Sequence, residues 1–112
     1  MKRGEIRWYT FESPDKRRPI LILTRTPAIS FLNAVTIAPI TSTIRSIPTE
    51  VHLSQAEGLL AECAVNLDNI QTVPKSKIGK LITTLSSTRI DEVEQAISFA
   101  LGFGSMIEAW AY

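Results

Sequence analysis

Two short stretches carry residue types that can do chemistry on a phosphate: KRRPILIL, residues 16–23, and APITST, residues 38–43. Arg18 precedes Pro19, which biases its backbone toward extended geometry where an apolar strand begins. A guanidinium held there is permanently charged and offers a rigid fork of donors matched to phosphate oxygens. Thr41, two residues after Pro39, presents a hydroxyl at the end of a second apolar run. If the two strands are neighbours, Arg18 and Thr41 can grip one phosphate from two sides. Otherwise Arg18 is a surface cation and Thr41 a turn residue, and at this level both readings stand.

The usual proton carriers and nucleophiles are poorly placed. His52 alternates with Val51 and Leu53 in EVHL, as a solvent-facing strand residue does, and Cys63, before Ala64-Val65, reads as a small buried hydrophobe. No GxSxG, P-loop or HExxH pattern is present. One His and one Cys supply no zinc cluster, which leaves carboxylate-bound magnesium open.

The elements that must position these residues are mostly short strands. In 112 residues, 45% hydrophobic and 21% charged, one domain is expected. No apolar run approaches the ~18 residues of a membrane span, and the start, MKRGE, lacks the apolar stretch of a signal peptide. The lone Cys63 excludes an internal disulfide, which suits a reducing compartment. The charge, +1 overall, is uneven: residues 1–45 hold eight Lys/Arg against three acids, the remainder four against eight. A basic half beside an acidic half fits polyanion binding on one face, and equally a solvated surface.

Strands are predicted over residues 5–11, 19–23, 33–40, 50–53, 63–67 with 70–73 (two strands or one bent one), and 78–84. PILIL has the continuous apolar character of a strand buried on both faces. Ser13-Pro14-Asp15, Thr26-Pro27, Ser46-Ile47-Pro48, Glu57-Gly58 and Val73-Pro74 read as turns between them. Many short strands at this spacing suggest a small, strongly bent sheet or barrel. From Ser87 to Leu101, Ile90, Val93, Ile97 and Leu101 share one helical stripe, with Thr88 and Asp91 as a capping-box-like pair, acids in the first turns, and Gly102 and Gly104 as the stop. An apolar tail, 103–112, contains Trp110 and Tyr112.

In order along the chain, RGEI with its following aromatics, RRPILIL, APITST, IPTEVHL and CAVNLDNIQTVPKSKIGKLITTLS resemble the MazF/PemK family of toxin ribonucleases. The resemblance runs from residue 3 to about 102. It implies a mainly β fold, a small, strongly curved SH3-like β-barrel with a C-terminal α-helix, as one toxin domain over residues 1–102. It implies a cytoplasmic homodimer that cleaves single-stranded RNA without metal or other cofactor. The attacking group is the substrate's own 2′-hydroxyl, leaving 2′,3′-cyclic phosphate and 5′-hydroxyl ends. Arg18 and Thr41 match the family's catalytic arginine and hydroxyl residue, and Asp68, in LDNIQ, falls at a third acidic position of some members. Lys16, Arg17, Ser42, Thr43 and Arg45 are expected to contact RNA, and a cognate antitoxin with a flexible acidic segment to occupy the same groove. The loop 12–17 is shorter than in the family, so sequence preference does not carry over. Trp8 or Tyr9 could stack on a base, although buried aromatics are the commoner outcome. A CcdB-like gyrase poison and a non-catalytic SH3-like binding module are the rival readings.

Overall fold

The computed structural model describes residues 1–12 and 16–103. The expected turn at Ser13-Pro14-Asp15, the glycine stop at Gly104 and the tail beyond it lie outside the described residues. Seven strands form the sheet: β1 (Glu5–Phe11), β2 (Lys16–Ile22), β3 (Ala34–Thr41), β4 (Glu50–Leu53), β5 (Cys63–Asn66), β6 (Gln71–Pro74) and β7 (Leu81–Thr84). A four-residue helix, α1 (Thr26–Ile29), joins β2 to β3, and α2 (Ser87–Leu101) follows β7. All the pairings are antiparallel, in the order β4-β5-β3-β2-β1-β7, with β6 added on β3.

β3 organises the sheet. Its full length is apolar and β-branched, and it pairs with β2 on one edge and with β6 and then β5 on the other. The β6 ladder ends at Ile37 and the β5 ladder begins at Ile40. Pro39 falls in the gap between them, a place where a central strand tolerates a missing N–H. Both faces of this middle region are covered, which explains the unbroken run in PILIL. Leu21, Ala38 and Ile40 join Ile6, Val51, Leu53, Val65 and Leu67 beneath Val93 and Ala96 of α2. Ile20, Ile22, Val35 and Ile37 join Val73 beneath Ile29 of α1.

The sheet curls strongly enough that its two ends approach. The 3-10 turn Gln55–Glu57 after β4 is capped by Ser54, whose hydroxyl accepts the Ala56 amide at 3.2 Å while Glu57 accepts the Ser54 amide at 2.7 Å. Gly58 then takes φ +96°, and a Cβ there would stand 2.9 Å from Thr83 Oγ1 of β7. Only glycine suits both the angle and the contact. On β1, burial alone would raise the Glu5 carboxyl, but the Arg7 hydrogen bond at 2.8 Å, the Lys2 backbone and nearby positive charge hold it below its ordinary value.

α2 spans Ser87–Leu101 as its stripe predicts, and Gly102 ends it at φ +75°. Its cap is Ser86, whose hydroxyl accepts the Arg89 amide, not the expected Thr88–Asp91 pair. The first turn therefore carries no acid; Arg89 occupies it and forms an ion pair with Glu92 at 2.8 Å. Residues 63–74 resolve into two strands separated by the 3-10 turn Leu67–Asn69. Thr26-Pro27, read as a turn, opens α1 instead, with proline in its first positions.

Candidate active site

The antiparallel register puts the start of β2 and the end of β3 at the same end of the sheet. The last paired residues are Ile20 and Pro39. Two residues farther along each strand, beyond the paired stretch, stand Arg18 and Thr41; there Thr41 is paired with Ala64 of β5. Arg18 and Thr41 are both half-buried. Among the described residues the Arg18 side chain has no hydrogen-bond or ion-pair partner. On its other edge Arg18 pairs with Tyr9, which packs on the apolar cluster of that side and holds the strand in place.

The chain turns sharply after β3, and the turn is built on Thr41. Its Oγ1 accepts the amide of Thr43 at 3.1 Å, a short-range bond available to a hydroxyl side chain. With that lone pair engaged, the hydroxyl proton is free to be donated outward. Ser42 and Thr43 are exposed beside it. The loop that follows is tied back by Glu50, whose Oε1 accepts the Arg45 amide at 2.8 Å, and Ser46 passes through a left-handed φ of 54°. Arg45 itself is exposed. A phosphate entering this end would meet a fixed positive fork from β2 and a hydroxyl donor from β3.

Asp68 is not brought to these two residues within the chain. The β3–β5 register places Ala64 opposite Thr41, and Asp68 lies four residues beyond Ala64. Its Oδ2 accepts the Thr49 hydroxyl at 2.6 Å, and its amide donates to Asn66 at 3.0 Å, so it braces the turn Leu67–Asn69. His52 faces solvent between buried Val51 and Leu53, with Nε2 2.9 Å from Glu62 Oε1. Burial, with a smaller contribution from Glu57, pushes the Cys63 thiol up, which suppresses the thiolate a nucleophile needs.

Strand alternation sends Arg17 to the opposite side of the sheet from Arg18. Its guanidinium carbon stands 4.2 Å from the centre of the Trp8 ring, a cation–π contact. Arg17 and Trp8 border a cleft of about 300 Å³ that reaches Thr41 and Ser42 and is walled by Leu59, Leu60 and Ile82. The sequence named Trp8 and Arg17 separately. It gave no sign of Leu59, Leu60 or Ile82, which arrive from segments far along the chain. Tyr9, the other aromatic considered for stacking, packs edge-on against Phe11 at 4.8 Å. Lys16 begins β2 opposite Phe11.

The family model described as PemK-like, MazF-like toxin of type II toxin-antitoxin system matches residues 2–101. The chain is similar to the probable endoribonuclease MazF2 of Mycobacterium tuberculosis, 36% identical over 103 residues that cover 91% of this chain and 99% of that protein. It is also similar to endoribonuclease MazF3 of the same organism, 41% identical over 86 residues, 77% of this chain and 84% of that one. Among solved structures, the Mycobacterium tuberculosis toxin MazF-mt6 superposes with a TM-score of 0.81 at 37% identity, covering 88% of this chain and 96% of its own. An endoribonuclease in complex with its cognate antitoxin from Mycobacterial species superposes at 0.82 with 25% identity, covering 93% and 97%.

Proposed function

The chain belongs to the PemK-like, MazF-like toxin family of type II toxin–antitoxin systems, and from that membership we propose that it is an endoribonuclease that cuts single-stranded RNA between Arg18 and Thr41. The observation that carries the assignment of the site is the register. Continued two residues past its last pair, Ile20 and Pro39, it runs to Arg18 on β2 and to Thr41 on β3, which supports reading the shared end of these strands as the phosphate site.

The reaction needs no nucleophile from the protein. The 2′-hydroxyl oxygen of the substrate attacks the adjacent phosphorus while the bond from phosphorus to the 5′ oxygen breaks. The 2′ proton is lost, the departing 5′ oxygen gains one, and the ends are a 2′,3′-cyclic phosphate and a 5′-hydroxyl. Negative charge grows on the non-bridging oxygens as the phosphorane forms. Arg18 stabilises that charge and Thr41 hydrogen-bonds one of its oxygens, and donors of this kind are each worth about 3–4 kcal/mol of barrier. An arginine is always protonated at neutral pH, so it serves as an electrostatic clamp rather than a proton carrier.

Lys16, Arg17, Ser42, Thr43 and Arg45 contact the flanking RNA. Asp68, whose Oδ2 accepts the Thr49 hydroxyl at 2.6 Å, is kept as a third candidate, and Asp68→Asn tests its part in cleavage. The protein acts in the cytoplasm as a homodimer, and a cognate antitoxin restrains it by laying a flexible acidic segment over the basic end. The test is incubation of wild type and Arg18→Ala with a long unstructured RNA in the presence of EDTA, followed by mapping of the ends. Discrete cuts with cyclic phosphate ends are expected from wild type, with Arg18→Ala slower by about a hundredfold to a thousandfold. Intact RNA at high wild-type concentration overturns the reading and favours a poison of the gyrase-binding kind.

A further inference from the structure

Arg18 and Arg17 are adjacent on β2 and therefore point to opposite sides of the sheet at its open end. The phosphate site uses one side. The other holds the cleft of about 300 Å³ between Trp8, Arg17, Pro19, Ile40, Leu60 and Ile82, at the low end of the roughly 300–1,000 Å³ typical of small-ligand sites. We infer that this cleft receives one nucleobase of the RNA, next to the scissile phosphate, stacked on the Arg17 guanidinium with Trp8 behind it. The inference rests on the ribonuclease reading and deepens it by assigning the recognition of a base.

Three features favour a base over another occupant. Apart from Arg17 and Glu62 the walls are mostly apolar, which suits the faces of a base better than a hydrated phosphate. The floor is a planar cation backed by an indole at 4.2 Å, and splayed-out RNA bases stack on both aromatic rings and guanidinium planes. The cleft is also continuous with the phosphate site through Thr41 and Ser42. An RNA strand crossing the end of the sheet leaves a phosphate on the Arg18 side while the neighbouring base turns over the edge onto Arg17.

Trp8 is anchored for this role. Its amide donates to Lys80 at 3.1 Å and its carbonyl accepts from Gly79 at 2.8 Å, which fixes the backbone under the ring. A Cβ on Gly79 would stand 3.1 Å from the Trp8 carbonyl oxygen, so the close approach of the two segments favours glycine at position 79. Leu60, 85% exposed, stands at the cleft as an apolar wall that the fold itself does not use. Glu62 lines the cleft as well, and its Oε1 stands 2.9 Å from His52 Nε2.

The experiment uses RNA oligomers spanning one mapped cut, each with a single abasic ribose at a position flanking the cut. Wild type, Trp8→Leu and Leu60→Asp are compared by kcat/KM. At one flanking position, removal of the base lowers wild-type kcat/KM by roughly tenfold to a hundredfold, the range of a lost base stack. At that same position both variants lose nothing further, because the base no longer has its site. Leu60→Asp alters an exposed side chain and keeps the test decisive if Trp8→Leu does not fold. Equal abasic penalties in wild type and Leu60→Asp at every position overturn the base site while the nuclease stands, and assign the cleft to the antitoxin. Absence of any wild-type cleavage overturns both readings together.

Discussion

Thr41 has two jobs that one hydroxyl performs at once. As an acceptor it closes the turn by taking the Thr43 amide at 3.1 Å; as a donor it can address a phosphate. Thr41→Val keeps the shape and removes both. It is expected to lower single-turnover cleavage by about a hundredfold or more, the effect of one lost donor to developing charge. The turn bond is exposed, so its loss should cost about 1 kcal/mol or less in thermal unfolding. Thr41→Ser retains the oxygen and should keep most of the activity. Equal activity in Val and Ser would remove Thr41 from the chemistry. At this scale much was legible in advance: the arginine before a proline and the hydroxyl run after Pro39 stand in the chain as letters. The face assignment of Arg17 and Arg18 was not, because the strand was read as beginning at Pro19 whereas β2 begins at Lys16. The engagement of Asp68 was not, because Thr49 meets it only after β4 and β5 have paired.

Secondary structure was readable where the signal is local and repeated. The helix Ser87–Leu101 follows from four apolar positions on one stripe, and β1 and β4 from short apolar or alternating runs. The cap moved to Ser86 because three consecutive hydroxyl residues, Ser86 to Thr88, offer equivalent caps, and packing of Val93 and Ala96 decides the phase. Helix α1 escaped notice because Pro27 opens a turn and a helix alike, and four residues carry no periodicity. The closure of the sheet was not readable either. It depends on Gly58 meeting Thr83, 25 residues apart, and nothing near either residue announces the other. Gly58→Ala tests that closure. The left-handed φ of +96° should cost about 1–2 kcal/mol, and the 2.9 Å approach to Thr83 Oγ1 should add to it. Thr83→Ala relieves the contact but not the angle, so it should recover only part of the loss in melting temperature. Full recovery in the double variant would mean that the angle carries no strain.

Across the whole molecule the uneven charge acquires a location. The cations of the first 45 residues include Lys16, Arg17 and Arg18 at the start of β2, which the antiparallel register sets beside the end of β3, the strand from which the loop carrying Arg45 leaves. The acidic second part contributes Glu92 and Glu94 along α2, whose buried residues pack across the sheet. A net charge of +1 thus conceals a pole that draws a polyanion and a flank that repels it. The neutral total gives no hint of this, whereas the counts by segment do. RNA made uncleavable by a 2′-deoxy nucleotide at the cut isolates binding from reaction. Its association constant should fall with salt, each phosphate contact contributing a slope of about −0.7 on logarithmic axes for a single strand. Arg45→Ala removes one exposed contact and should make the slope shallower by about that amount, weakening all RNA sequences alike, because phosphate contacts position without reading sequence. Trp8→Leu should leave the slope unchanged while weakening binding, since stacking releases no counterions. A slope that is the same in wild type and Arg45→Ala would place the loop after β3 outside the RNA path and confine the basic pole to β2.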